Sequence, residues 1–188
     1  MGLEPIPKLN FSACHDAWLG EYAYMLSTQK YYEVVRDLIA EVAEVFDHPR
    51  FFHLGMDEED YPDHHVGMTS IRSDSLWWHD LYFYFDEVEK YGARPWIWSD
   101  YVWKHEDLFL KNMPKDVVQS NWFYGDFKTY GDDHPGSRRA IECYELLDKH
   151  GFEQIPTGST WSRVNNLLQT VGHGKNKLDQ SRLLGFLG

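Results

Sequence analysis

Short apolar runs alternate with amphipathic stretches along this chain. Residues 4–11 (Glu-Pro-Ile-Pro-Lys-Leu-Asn-Phe), 50–55, 94–98 (Arg-Pro-Trp-Ile-Trp), 116–122, 153–158 and 183–187 have the length and character of strands. Between them lie stretches of helical period. Over 28–46, Val34, Val35, Leu38, Ile39, Val42 and Val45 recur near i, i+3, i+4, i+7, i+8 and i+11, and Thr28 is placed to cap the start. Helices are also predicted over 72–91 and 137–150, closed by Gly92 and Gly151, and over 104–112 and 161–171. Residues 61–70 and 125–135 read as loops.

Strand, helix, strand with short connections predicts an α/β fold with a parallel sheet and right-handed crossovers. An open doubly wound sheet and part of a (β/α)8 TIM-type barrel both fit. No glycine-rich phosphate loop follows the first strand, which weakens the nucleotide-binding version. Polar and aromatic clusters fall after strand ends: Cys14-His15-Asp16, Asp57-Glu58, Trp98-Ser99-Asp100, Trp122-Phe123-Tyr124 and Ser159-Thr160-Trp161. That placement is the pattern of a barrel's active face. No repeat or linker divides the chain, so residues 1–188 are expected to form a single partial barrel domain.

Composition narrows the partners. The net charge of −12 repels nucleic acid and anionic membrane surfaces, and there is no basic stripe. No run of apolar residues is long enough to span a bilayer, and Met1-Gly2-Leu3-Glu4-Pro5 does not read as a signal peptide. The compartment is not legible. The two cysteines, Cys14 and Cys143, form no disulfide framework or metal signature and read as small buried hydrophobes. Aromatic residues reach 16%, more than a core needs, so some rings are candidates to line a site.

The sharpest chemical feature is residues 51–60, Phe-Phe-His-Leu-Gly-Met-Asp-Glu-Glu-Asp. An apolar strand ends in carboxylates. Neighbouring acids at a buried edge repel each other, so one pKa is expected to rise while the other group stays ionised. An acid with an electrostatic partner needs that split. Glu59 and Asp60 read as solvated or helix-capping. The many nearby acids and His64-His65 match neither the calcium-loop spacing nor His-Glu-x-x-His, so neither a metal nor a cofactor is expected.

His53-Leu54-Gly55-Met56-Asp57-Glu58 resembles the His-x-Gly-Gly-Asp-Glu signature of family 20 glycoside hydrolases, the β-N-acetylhexosaminidases. Ile6-Pro7-Lys8-Leu9-Asn10 with Ala13-Cys14-His15 is similar to that family's third-strand segment, Ile-Pro-Glu-x-Asp then Pro-Gly-His. Pro95–Asp100 looks like its fifth strand, and 183–187 like its eighth, so the resemblance implies roughly strands 3 to 8 of the barrel. It implies Glu58 as general acid and Asp57 as the residue orienting the substrate's 2-acetamido group, whose own amide acts as nucleophile, an exception to the two-carboxylate scheme. His15 and His53 match pocket histidines. Tyr124 and Asp126 have the spacing of residues that bind the acetamido carbonyl and a sugar hydroxyl. Trp98, Trp122 and Trp161 are candidate walls around the sugar.

The chain departs from the family at Met56, where the signature has Gly, at Lys8 and at Ala13-Cys14. Glycine tolerates unusual backbone angles, and methionine is not expected to adopt them. With the first two strands missing, a barrel could not close. The isolated chain is therefore expected to turn over little substrate, and its open sheet edges to favour self-association. Two other readings stay open. One is a retaining glycosidase with a separate carboxylate nucleophile, for which Asp100 is the candidate unless it caps the next helix. The other is a sugar-binding remnant without catalysis.

Overall fold

The computed structural model describes residues 4–59, 72, 75–128 and 135–188. It has a mixed α/β fold with a parallel sheet and flanking helices, consistent with part of a barrel. Strands β1 (Phe51–His53), β2 (Arg94–Trp98) and β3 (Val118–Ser120) follow the order β1-β2-β3. Packing divides the chain into two compact units, Met1–Ile97 and Trp98–Gly188.

In the first unit, β1 runs parallel to β2 with Phe51, Phe52 and His53 opposite Arg94, Pro95 and Trp96. The predicted strand over 4–11 is reduced to a single bridge, Lys8 to His53. Hydrogen bonds from His53 N to Pro7 O (2.9 Å), Leu9 N to His53 O (3.0 Å) and Phe11 N to Leu54 O (3.0 Å) hold it there. Prolines at 5 and 7 lack the donors a longer ladder needs. Helix α1 (Gln29–Val45) begins at Thr28, whose side chain accepts from Tyr31 N. Its buried stripe is Tyr31, Val35, Ile39 and Ala43 at strict i+4 spacing, and Val45 points to water at 74% exposure. The stripe is thus narrower than its valines and leucine imply. Helix α2 (Ser75–Glu89) buries Trp77 and Trp78, which meet edge to face at 4.8 Å. A 3-10 segment, Ala17–Met25, had no signal in the pattern.

In the second unit, Ser99 N donates to Ser120 O (3.0 Å). Parallel bridges link Gln119 to Gln154, Trp122 to Thr157, Gln154 to Leu183 and Thr157 to Leu187. Segments 153–158 and 183–187 are therefore extended and paired, as the pattern predicts, although only at isolated positions. Helices α3 (Glu106–Asn112) and α4 (Pro135–Lys149) lie where expected, and Gly151 follows α4 at φ 79°.

The expected helix over 161–171 is corrected: α5 spans Asn166–Lys177. Asn166 is buried and works as a clamp, accepting from Ser159 N (2.8 Å) and donating to the carbonyls of Phe123 and Gly125. That fixes residues 159–165 outside the helix. The helix also continues through Gly172 and Gly174. At Gly174 a Cβ would come within 2.6 Å of the Phe186 ring, so this glycine admits the terminal segment instead of ending the helix.

Candidate active site

The site begins where β1 ends. Along extended backbone, successive side chains point to opposite faces, so adjacent acids diverge. Here Gly55, Met56 and Glu58 take φ values of 75°, 73° and 59°. This left-handed run turns Asp57 and Glu58 to one side, where both meet His15. His15 Nε2 lies 3.0 Å from Glu58 Oε2 and 3.4 Å from Asp57 Oδ2. The expectation for Met56 is overturned: it adopts the left-handed angles with its side chain fully buried. Burying its thioether offsets a backbone strain on the order of 1–2 kcal/mol.

Asn10 organises the turn. Its Nδ2 donates to Asp57 Oδ1 (2.8 Å), and its Oδ1 accepts from Ser12 N (3.0 Å) and Met56 N (3.3 Å). Ser12 Oγ donates to the Asp57 carbonyl. Cys14, only half-buried, donates from Sγ to the Glu58 carbonyl (2.8 Å), a correction to its reading as a small core residue.

His15 supplies a cation beside the two acids, a partner that the expected split between neighbouring carboxylates did not include. Hydrogen bonds to Asp57 and then Glu58 push the His15 imidazole up to about 10. Burial acts to raise the Asp57 carboxyl, but hydrogen bonds from His15 and Asn10 outweigh it and leave it below its ordinary value. Asp16, beside this cluster in sequence, is pushed up to about 6, chiefly by burial. A histidine whose folded pKa exceeds its unfolded value stabilises fully below the unfolded value, and that contribution disappears as pH rises through the folded one. His15 is therefore expected to add stability below pH 6.5 and to lose it toward pH 10, reduced by the solvent that reaches 39% of its side chain. The check is an imidazole NMR titration alongside denaturation curves of the wild type and His15→Ala. A His15 midpoint near 6.5 would remove the ion pair from the account.

His53 lies outside this cluster. It is buried against Trp96 (ring centroids 4.7 Å), its Nδ1 accepts from Gly55 N (3.0 Å), and burial drives it down to about 3. Its observed task is to hold the neutral imidazole that caps the first residue of the turn.

Sequence reasoning missed the layer behind the acids. Arg72 is fully buried and pairs with Glu59 (2.7 Å) and Asp80 (2.6 Å), whose side chains are also shut from solvent. It donates further to Phe11 O, Tyr31 OH and Tyr84 OH. Asp80 also accepts from Ser27 Oγ and Tyr32 OH. Glu59 Oε1 takes the amide of Ala13 as well (3.0 Å). Glu59 thus ties the loop carrying His15 to the turn carrying Glu58, which corrects its reading as a solvated acid. Asp60 and His64-His65 lie outside the described residues.

In the second unit, aromatic residues form a chain. Trp122 stacks on Tyr124 (5.2 Å) and tilts against Trp103 (4.7 Å), and Tyr124 meets Trp161 edge-on (6.1 Å). Trp161 is 77% exposed, whereas Trp98 is buried at the end of β2. Asp126 accepts from Lys128 N and Gln169 Nε2. Asp100 is buried and accepts from Trp122 Nε1 (3.3 Å), so one of its carboxylate oxygens already has a partner.

No family model matches the sequence, and no curated protein matches it. Solved structures do. The chain superposes with a TM-score of 0.61 and 15% identity on the family 20 exo-β-N-acetylglucosaminidase of Vibrio harveyi, in complex with N-acetylglucosamine. The inactive D437A mutant of that enzyme gives the same values. The fold is distantly GH20-like. The match covers 99% of this chain and 34% of that enzyme, so the chain spans about a third of its length. Among the described residues, no helix is long and apolar enough to cross a membrane.

Proposed function

We propose that the chain carries a glycosidase-type site for N-acetylhexosaminides that works by substrate assistance. The observation that carries this reading is the left-handed turn after β1, which aims Asp57 and Glu58 at His15 in a fold similar to GH20 enzymes. Asp57, held ionised by Asn10 and His15, accepts the N–H of the 2-acetamido group and balances the charge of the oxazolinium-like intermediate. Glu58 is the general acid. His15 Nε2, 3.0 Å from Glu58 Oε2, is placed to return a proton to that carboxylate as Glu58 gives its own to the leaving oxygen. In the second unit, taken by itself, the exposed ring of Trp161 offers a face on which a sugar can stack.

The test is chromophore release from an aryl N-acetyl-β-glucosaminide. A slow rate is expected, falling roughly 10²- to 10⁴-fold in Glu58→Gln, the range for loss of a general acid. An unchanged rate in that variant removes the acid's role. Binding heat with N-acetylglucosamine and no release in the wild type would assign the site to sugar binding alone.

A further inference from the structure

We infer that the His15–Asp57–Glu58 cluster is also a binding site for a zinc-class divalent cation. One ligand atom from each residue lies within 4.8 Å of the other two. The nitrogen-to-oxygen separations of 3.0 and 3.4 Å bracket the spacing, about 3.3 Å, between neighbouring ligands of a tetrahedral zinc ion with bonds near 2.0–2.1 Å. Imidazole and carboxylate are both ligand types that zinc accepts, and the ion would displace the proton that pairs His15 with the two acids, so affinity should rise with pH.

Two further features fit a cation. Asn10 takes Asp57 Oδ1 and leaves Oδ2 facing His15, the outer-shell role that orients a ligating carboxylate. The side chains also keep 39%, 18% and 19% exposure, so an ion can reach them without the fold opening. The imidazole selects the metal: it suits zinc, copper or nickel, whereas calcium and magnesium favour all-oxygen shells. The inference concerns the same residues as the proposed glycosidase site but does not require that site to turn over.

The experiment is calorimetric titration of the whole chain with zinc chloride in a non-coordinating buffer, with magnesium and calcium chloride as counter-probes. One zinc ion per chain is expected. Affinity should fall at least about tenfold in His15→Ala and in Asp57→Asn, which keeps the side chain's shape, and hold in a His64→Ala/His65→Ala double variant. Circular dichroism of each variant verifies the fold. Equal zinc affinity in His15→Ala and wild type, loss only in the double variant, or magnesium binding as tightly as zinc would overturn the inference. The titration contains no sugar, so its failure leaves the hydrolase reading intact. Zinc binding beside an absence of chromophore release would sink only the latter.

Discussion

Arg72→Met is expected to destabilise the protein by about 3–5 kcal/mol, the range for removing one partner of a buried ion pair. Typical domains have only about 5–15 kcal/mol in total. The substitution keeps the volume and removes the charge, so the loss is electrostatic. Glu59 and Asp80 would stay behind in a dry interior, and Tyr31, Tyr84 and the Phe11 carbonyl would each lose a donor. Burial already pushes the Glu59 carboxyl up, against the attraction of Arg72. Without the guanidinium it rises further and takes a proton more readily. Protonation of a group with a raised folded pKa favours the folded state, so the deficit should shrink as pH falls. Urea denaturation of the variant at two pH values measures this. The triple variant Arg72→Met/Glu59→Gln/Asp80→Asn should recover part of the loss. A single variant with wild-type stability would show that the network contributes little.

Gly55→Ala is expected to cost about 2–4 kcal/mol from left-handed strain and overpacking together. An added Cβ would stand 1.9 Å from Asn10 Oδ1 and 2.7 Å from Asn10 Cα. A side chain can rotate away, but a backbone atom cannot. Asn10 must retreat as a whole and release Asp57 Oδ1, Ser12 N and Met56 N. Combining Gly55→Ala with Asn10→Ala relieves the clash with Oδ1 and Cγ, while the clash with the backbone of residue 10 persists. The double variant should therefore lose less than the sum of the singles, and a thermodynamic cycle reads the difference. Strict additivity would mean that the two residues do not meet.

What the sequence made legible was local. The bounds of β2, the Thr28 cap and the glycines after α2 and α4 follow from signals within a few residues. The pairing of Asp57 with Glu58 was visible as a motif. The partners of the charges were not. Arg72 reaches Glu59 across thirteen positions and Asp80 across eight, and no propensity says which of many charges will be buried together. Met56 misled for a related reason, because tertiary burial of its side chain offsets a backbone preference. α5 was misplaced because the Asn166 clamp depends on carbonyls some forty residues upstream.

The left-handed run after β1 also proofreads strand alignment. If β1 slid one residue along β2, Leu54 would have to assume the angles now held by Gly55, and its side chain would swing from the interior to the opposite face. Glycine accepts such angles freely, whereas leucine pays roughly 1–2 kcal/mol. Misaligned pairings of this sheet are thus penalised at Gly55, the first residue of the bend that aims the acids, so variants that relax this bend should fold to mixed registers as well as lose their chemistry.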